Sequence, residues 1–256
     1  MSSPILPPAS RGVLPLVVAH RGASADKTEN TVEAYREAVA QQADWIELDV
    51  HLLADGALGV YHDNALPTGE LMADLRAEDL PAHFPLLGAA LDASEGCVVN
   101  IEIKAEGPAA ERDAVDGVIG RIIELLAARE ASREPALRYV ISSFHLDLLA
   151  EMRSALDSAD LARVPTAALG WGFSDMQVFI DKAVAARCAF LHPWHPETTA
   201  DVVTAAHDAG LGVNVWTANH PDLIRQLADM GVDGIITDEP ANCRSVLIEW
   251  ARQSKA

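Results

Sequence analysis

The chain has 256 residues, of which 50% are apolar, and 38 acidic against 19 basic residues give it a formal net charge of -19. Half-apolar composition at this length is enough to bury one large core, so we expect a single domain over residues 1–256. The acidic charge disfavours nucleic acid and anionic membrane surfaces as partners, and an anionic ligand would need a local basic site.

Cysteine usage and the first residues indicate a cellular location. Cys97, Cys188 and Cys243 are widely separated and have no C-x-x-C spacing, which argues against a disulfide framework and against a zinc knuckle. Residues 1–14 form a proline-rich lead-in without the features of a signal peptide, and we find no run of membrane-spanning length. We therefore expect a cytoplasmic protein without an integral membrane segment, and the sequence leaves its oligomeric state open.

Short apolar runs rich in Val and Ile alternate with stretches of helical periodicity along the chain. Near-continuous apolar strands separated by amphipathic helices are typical of a parallel sheet covered on both faces. Eight such units favour a closed α/β barrel, the (β/α)8 TIM barrel, over an open sheet. The predicted strands are residues 15–20, 44–50, 97–104, 138–144, 166–171, 189–194, 212–217 and 233–238.

A ninth apolar run, residues 57–63, does not fit the parallel alternation. Asp55 and Gly56 precede it and form a strong hairpin signal, and so short a turn cannot lead to a parallel strand. We therefore interpret residues 51–63 as a hairpin beyond the second barrel strand. Residues 64–85 have weak periodicity and are predicted to form a small insertion over the barrel mouth, before a helix near residues 86–94.

Two later helices have readable ends. Asn219 is predicted to be the N-cap of a helix that ends at Gly231. Pro196 is predicted near the start of the preceding helix, which closes at Gly210.

Three carboxylates are predicted to converge inside the barrel. Glu47 and Asp49 are two residues apart on one strand and share a face, and Glu102 shares a face with Lys104 on the next barrel strand. Burying that much like charge is costly unless a pKa is raised or a cation is bound. Oxygen ligands without cysteine favour Mg²⁺ or Ca²⁺, although nearby histidines leave other metals possible. The alternative is that the carboxylates are structural ion-pair partners of Lys104 and Arg21, although the recurrence of the pattern on two strands favours the metal.

Other chemically useful side chains lie at predicted strand ends. His20 and His62 each end a β run and precede a charged residue, although a lone histidine is more often a satisfied core residue. Trp216 shares its strand face with Asn214 and is a candidate site residue because it lies at a strand end. The alternative is that it is simply buried in the barrel. Further candidates for the pocket or its surroundings are Asp63, Phe144 and His192, whereas ordinary surface roles are expected for His51, His83, His145, His195, His207 and His220.

Seven blocks in order, AHRGAS, TENTVEAYREA, DWIELDVHLLADGALGVYHD, NIEIK, SSF, GVNVWTAN and GVDGIITDEP, resemble the glycerophosphodiester phosphodiesterase family over nearly the whole chain. The resemblance implies a TIM barrel with a small insertion and metal-dependent hydrolysis of a small glycerophosphodiester to an alcohol and sn-glycerol 3-phosphate. It implies acid and base roles for His20 and His62, one divalent cation, Mg²⁺ or Ca²⁺, on Glu47, Asp49 and Glu102, phosphate contacts from Arg21 and Lys104, and packing of Trp216 on the glycerol carbons.

The sequence departs from the family pattern at two places, which affect loops and not these residues. Thr28 stands where proline usually precedes ENT, and LLADG replaces a Thr-Lys-Asp-Gly type of turn. Glu29 is either a further metal or hydrogen-bonding residue or a helix-start carboxylate beside Asn30. The order of the two histidines, and a nucleophile that is water or a glycerol hydroxyl, stay open.

Two other functions are compatible with the sequence. The first is a lysophospholipase D type of phosphodiesterase in the same superfamily, which an exposed apolar rim would favour. The second is a non-catalytic barrel that binds phosphate or metal, which predicts that a catalytic histidine or a metal carboxylate is missing. None of these residues is missing from the sequence.

Overall fold

The computed structural model describes residues 14–105, 112–130 and 139–253, so most of the predicted lead-in, residues 1–13, lies outside the described residues. The sheet is built from strands β1 to β9, and every strand pair except β2 with β3 is parallel. Because β1 pairs with both β2 and β9, the eight parallel strands close on themselves, which confirms the predicted TIM barrel. The strands are Leu16–Ala19, Trp45–Leu52, Leu58–Val60, Val98–Ile103, Tyr139–Ser143, Thr166–Gly170, Phe190–Pro193, Gly212–Val215 and Gly234–Thr237.

Helices surround the barrel and bury their apolar faces against the outward faces of the strands. Two large clusters of apolar side chains fill this layer, one around β2, β4 and β5 and the other around β7, β8 and β9. Helices α1 to α8 are Val32–Ala40, Leu87–Ala93, Arg112–Glu130, Leu146–Ser158, Met176–Ala185, Ala200–Asp208, Pro221–Met230 and Pro240–Gln253. Within the described part of the chain, we find no helix with the length and apolarity that crossing a membrane would require.

The predicted hairpin is confirmed, because β3 runs antiparallel to the outer end of β2 and pairs Val60 with Val50. Gly56 has φ of 79° in the intervening turn, a conformation that favours glycine. The following segment contains the short 3₁₀ turns Met72–Asp74 and Ala77–Asp79. It is held together by a small apolar cluster of Leu53, Leu66, Met72, Leu75 and Leu80, so the insertion has a core of its own.

One end of the barrel interior is closed by apolar side chains. A cluster that includes Val18, Trp45, Val140, Phe190 and Ile236 fills the end where the strands begin. The rings of Trp45 and Phe190 pack edge to face with centroids 5.4 Å apart. The inward positions that follow on these strands are polar, so a ligand can approach only from the carboxyl ends of the strands.

The predicted cap of α7 is wrong by one residue. Its N-cap is His220, whose Nδ1 accepts from the Asp222 N–H at 3.3 Å, while the Asn219 side chain accepts from the Asp238 N–H at 2.9 Å. The Asn219 side chain therefore bonds to the end of β9 and does not cap α7. The predicted end at Gly231 is correct, since this residue is left-handed with φ of 82°.

The predicted start of α6 is also wrong. Pro196 lies in a separate 3₁₀ turn, His195–Glu197, and α6 begins at Ala200. The Thr199 hydroxyl accepts from the Val202 N–H at 3.3 Å and caps the helix. Proline suits the first turn of a short 3₁₀ segment as well as it suits a helix, so its presence did not locate the α6 terminus.

Candidate active site

The three predicted carboxylates meet at the carboxyl ends of two neighbouring strands. Asp49 on β2 is directly opposite Glu102 on β4, and Glu47 lies one inward position below Asp49. All three are buried, and one carboxylate oxygen from each lies within 4.8 Å of the others. Glu47 Oε1 is buried and has no hydrogen-bond partner among the described residues. A cluster of oxygen donors with one free buried oxygen fits a hard divalent cation.

Two basic side chains, those of Lys104 and Arg21, contact this cluster of carboxylates. Lys104 Nζ lies 2.9 Å from Asp49 Oδ1 and contacts Glu102, and Arg21 Nε lies 3.4 Å from Asp49 Oδ2. Burial raises the pKa of Asp49, but Lys104 and Arg21 more than offset this effect and hold it at about 2. Burial and the charge of Asp49 raise the pKa of Glu102 to about 7, and the same causes raise the pKa of Glu47 well above its ordinary value. The two basic residues therefore compensate Asp49 more fully than they compensate the two glutamates.

Arg21 is held in place by carboxylates on two sides. Its backbone N–H donates to Glu47 at 2.9 Å, and its Nη1 donates to both oxygens of Glu29 at 2.9 and 3.0 Å. Arg21 and Gly22 have φ of 56° and 86°, so the chain turns sharply out of β1 at this point. Glu29 is half-exposed and is not part of the three-carboxylate group, and its described role is to orient the guanidinium.

Asn30 positions one of the three carboxylates. Its Nδ2 donates to Asp49 Oδ2 at 2.8 Å, and its Oδ1 accepts from the Tyr35 hydroxyl at 3.0 Å. Asn30 is fully buried, so these bonds fix the amide and, through it, Asp49. The Asn30 side chain is therefore a second support for the carboxylate group, opposite Lys104.

The two histidines each make a hydrogen bond with a carboxylate. His20 Nδ1 lies 2.7 Å from Asp238 Oδ1, and His62 Nδ1 lies 2.7 Å from Asp63 Oδ1. Both imidazoles are partly accessible, with 21% of the His20 side chain and 34% of the His62 side chain exposed. Burial lowers the pKa of His62, against an opposing contribution from Asp49. With Nδ1 engaged, Nε2 of each ring is the nitrogen available to a substrate.

The expected surface role of His51 is wrong. β2 runs to Leu52, two residues beyond the predicted strand end, so His51 still lies within the strand and on the same face as Asp49. Only 2% of His51 is exposed, and burial lowers the pKa of its imidazole to about 4. His51 pairs with Gly59 in the predicted hairpin, but the sequence pattern did not predict that its side chain is buried.

Aromatic side chains follow β5 and β8 at the mouth of the barrel. The rings of Phe144 and Trp216 pack edge to face with centroids 5.8 Å apart, and Trp216 Nε1 donates to the His192 carbonyl at 2.8 Å. His192 itself is fully buried, accepts from the Asn214 amide at 3.0 Å, and has a pKa that burial lowers to about 3. His192 therefore supports Trp216 from below and does not line the pocket.

Asp238 is a residue that sequence reasoning missed. It follows β9 and accepts from Ser24 Oγ at 3.0 Å and from Asn219 Nδ2 at 2.6 Å. These two bonds hold the carboxylate that contacts His20. The signal that could have found it is the same one used for His20, namely a charged residue directly after an apolar barrel strand.

Comparison with known proteins gives a consistent family assignment. The family model described as "Glycerophosphoryl diester phosphodiesterase family" matches residues 20–242. A glycerophosphodiester phosphodiesterase of Caldanaerobacter subterraneus is 28% identical over 252 residues, with 88% of this chain and 94% of the relative covered. The crystal structure of the glycerophosphodiester phosphodiesterase of Thermotoga maritima matches with a TM-score of 0.72 at 28% identity, over 91% of this chain and 98% of that one.

A second solved structure resembles the fold at lower sequence identity. The Oleispira antarctica phosphodiesterase, determined in complex with the product sn-glycerol-3-phosphate, has a TM-score of 0.79 at 23% identity. The alignment covers 92% of this chain and 97% of the Oleispira chain.

Proposed function

Because the chain belongs to the glycerophosphoryl diester phosphodiesterase family, we propose that its site hydrolyses glycerophosphodiesters to an alcohol and sn-glycerol 3-phosphate with two histidines as acid and base. The observation that carries the proposal is the arrangement of His20 and His62 at the mouth that holds the three carboxylates. The Tyr61 N–H, next to His62, donates to the Asp49 carbonyl at 3.2 Å, and the Arg21 N–H, next to His20, donates to Glu47 at 2.9 Å, so both histidines adjoin the same cluster. The named relatives support the same reaction.

Glu47, Asp49 and Glu102 would hold one divalent cation, Mg²⁺ or Ca²⁺. The bound cation would neutralise the non-bridging oxygens of the phosphate. The fit of the site rests on its oxygen-only donors and on the unpartnered Glu47 Oε1.

We assign the protein to the cytoplasm on its three free, buried cysteines.

Arg21 and Lys104 would bind the phosphate itself. Both contact Asp49, so a phosphate placed against the carboxylates lies beside a guanidinium and an ammonium. This local positive charge would overcome the repulsion that the net charge of -19 exerts on an anionic substrate. Glu29 keeps Arg21 extended toward the site, and Trp216 would pack on the glycerol carbons.

Proton transfer would be divided between the two imidazoles. One takes the proton of the attacking hydroxyl, and the other donates a proton to the departing alkoxide. The carboxylates of Asp238 and Asp63 hold each ring by its Nδ1, which leaves Nε2 to exchange the proton. Asp238 and Asp63 act through the histidines and are positioning residues.

A groove beside the site favours lysophospholipids as a second candidate substrate. A cavity of about 530 Å³ opens between α4 and α5. Its apolar lining is Phe144, Leu146, Ala150, Phe173, Ala185 and Ala186, and its polar lining is His145, Asp147 and Lys182. Phe144 belongs both to this groove and to the aromatic pair with Trp216. An acyl chain on the glycerol could lie there, which would release the headgroup alcohol and leave lysophosphatidic acid.

The proposal is tested by measuring choline and glycerol 3-phosphate release from glycerophosphocholine, and choline release from lysophosphatidylcholine. Each assay is run with EDTA and after addition of Mg²⁺ or Ca²⁺. We expect turnover of glycerophosphocholine that EDTA abolishes and metal restores. Activity that survives EDTA would contradict the metal assignment, and turnover of the lysolipid alone would favour the second candidate.

Variants His20→Ala and His62→Ala test the acid and base assignment. Each should lower kcat by about 10²–10⁴-fold, since this is the usual contribution of a positioned acid or base. The matched control is His83→Ala, at an exposed position in the insertion. Near-native turnover in either of the first two variants, with an unchanged circular dichroism spectrum, would show that the assignment is wrong.

A further inference from the structure

Three tryptophans stand side by side on neighbouring strands at the barrel mouth. Gly170 pairs with Pro193, and Trp194 pairs with Trp216, so Trp171, Trp194 and Trp216 follow one another across the ends of β6, β7 and β8. Their exposure rises along the row from the half-buried Trp216 to 37% for Trp194 and 62% for Trp171. Exposed indole surface of this kind, continuous with a site, is typical of a ligand contact.

A carboxylate lies at the exposed end of this row. Glu197 Oε1 accepts from the Gly172 N–H at 2.6 Å, and the Glu197 N–H donates to the Trp194 carbonyl at 3.0 Å, so the residue bridges the loops after β6 and β7. Its Oε2 is buried without a hydrogen-bond partner among the described residues. No Lys, Arg or His in the described ranges forms an ion pair with Glu197, so no described basic side chain neutralises its charge.

Indole faces beside an uncompensated carboxylate are the combination that binds an organic ammonium ion. The negative face of the ring attracts a cation that is too poorly hydrated to prefer water, and the carboxylate adds a full charge. We propose that Trp171, Trp194 and Glu197 form a subsite for a cationic amino group on the substrate alcohol. This inference rests on the proposed function, and it makes glycerophosphodiesters of amino alcohols the preferred substrates.

The position of this subsite is compatible with the rest of the site. The two ester arms of a phosphodiester leave one phosphorus in different directions. A diester whose phosphate is bound between Arg21 and Lys104 can therefore place each arm against a different part of the tryptophan row. Trp216 would contact the glycerol arm, and the tryptophans further along the row would contact the other arm. A neutral or purely apolar arm would cover Glu197 without compensating its charge, which is unfavourable.

Steady-state kinetics with two substrates test the inference. Glycerophosphocholine and glycerophosphoglycerol share the glycerol phosphate and differ in the charge of the alcohol. We expect Glu197→Gln and Trp171→Ala to raise KM for glycerophosphocholine about tenfold with little change in kcat, because a binding contact is lost. Glu197→Gln should lower KM for glycerophosphoglycerol, because a neutral arm no longer covers an uncompensated charge. Trp171→Ala should affect glycerophosphocholine more than glycerophosphoglycerol, and Trp171→Phe should keep most of the affinity for glycerophosphocholine.

The matched control is Glu249→Gln, which removes an exposed carboxylate from α8, near the opposite end of the molecule. It should leave both substrates unaffected. Equal changes for the charged and the neutral substrate in Glu197→Gln would overturn the subsite, as would an effect of the same size in the control.

A binding measurement without turnover separates this inference from the proposed function. Choline and its neutral carbon isostere 3,3-dimethylbutan-1-ol are titrated against the tryptophan fluorescence of the wild type, Glu197→Gln and Trp171→Phe. We expect a saturable change with choline alone that weakens in Glu197→Gln. Equal binding of the isostere would overturn the subsite. Absence of any diester hydrolysis together with choline binding would reject the proposed function and leave the subsite standing.

Discussion

His20 and Asp238 form a 2.7 Å hydrogen bond between Nδ1 and Oδ1 although 218 positions separate them in the chain. Burial raises the pKa of Asp238, but hydrogen bonds from His20, Asn219 and Ser24 outweigh it and lower the value to about 2. Asp238 is therefore ionised over the pH range in which an imidazole titrates. The contact fixes the ring of His20 by its Nδ1 atom.

We expect Asp238→Asn to lower kcat by about 10–100-fold with a smaller change in KM, because the ring of His20 loses its charged partner while the substrate contacts stay. Asp238→Glu should recover part of kcat. The comparison is Asp201→Asn, an exposed carboxylate in the first turn of α6. If kcat of Asp238→Asn equalled that of the wild type, Asp238 would have no positioning role.

The metal-free protein should lose stability as the pH rises through the weakly acidic range. Glu102 has an ordinary pKa of 4.5 and a folded-state pKa of about 7, and the pKa of Glu47 is raised as well. Between these two values the folded state keeps protons that the unfolded chain has released, so the free energy of unfolding falls with increasing pH. Thermal unfolding in EDTA across this window should show a decreasing Tm.

Stabilisation of the protein by Mg²⁺ or Ca²⁺ should have the opposite dependence on pH, because the cation requires ionised carboxylates. The rise in Tm on adding metal should therefore increase with pH over the same window. A metal-induced rise in Tm that is independent of pH would contradict the titration of these glutamates.

Glu47→Gln separates the stability of the fold from the binding of the ion. The change removes one buried negative charge while the Gln oxygen can still accept from the Arg21 N–H, so we expect the metal-free protein to gain about 1 kcal/mol above neutral pH. The rise in Tm with Mg²⁺ and the activity should both disappear. Glu33→Gln, at an exposed position on α1, is the control. Undiminished stabilisation of Glu47→Gln by Mg²⁺ would exclude this residue as a ligand.

Gly22 and Gly231 offer a matched pair for the turn after β1. Both are left-handed, with φ of 86° and 82°, but a Cβ on Gly22 would lie 2.7 Å from the Ala34 backbone, whereas a Cβ on Gly231 meets nothing within 4 Å. Gly231→Ala should cost about 1 kcal/mol from the backbone conformation alone. Gly22→Ala should cost about twice that or more, and should lower activity because α1 or Arg21 must move.

Denaturant unfolding of the two glycine variants gives both energies. Equal losses of stability would mean that the contact with Ala34 relaxes freely, and the close approach of α1 to the turn would then have no energetic significance.

Much of the barrel could be predicted because each strand is buried on both faces and therefore forms a short apolar run. The same reasoning explains the errors. The apolar pattern of the second barrel strand ends at Val50, so it does not indicate that His51 is buried. Pairing with β3 carries β2 past that point. Asn219 is a residue type that commonly caps helices, but its side-chain oxygen accepts instead from a competing donor, the Asp238 N–H at the end of β9. Such local preferences are settled by contacts between distant segments.

The carboxylates and histidines could be predicted from their spacing along single strands. Asp238 and Glu197 could not be assigned their partners, because each bond joins loops that only barrel closure brings together. Alternation along a strand identifies which face a side chain occupies. It does not identify which neighbouring strand end supplies the hydrogen bond.

The pairing of β1 with β9 has a consequence for synthesis of the enzyme. His20 and the three carboxylates are all translated in the first half of the chain, but Asp238 and the strand that closes the barrel come near its end. While the residues between Glu102 and Asp238 are translated, the nascent chain therefore holds its reactive groups without the carboxylate that aligns His20. Catalytic competence should arise abruptly, when β9 leaves the ribosome and pairs with β1 to close the barrel.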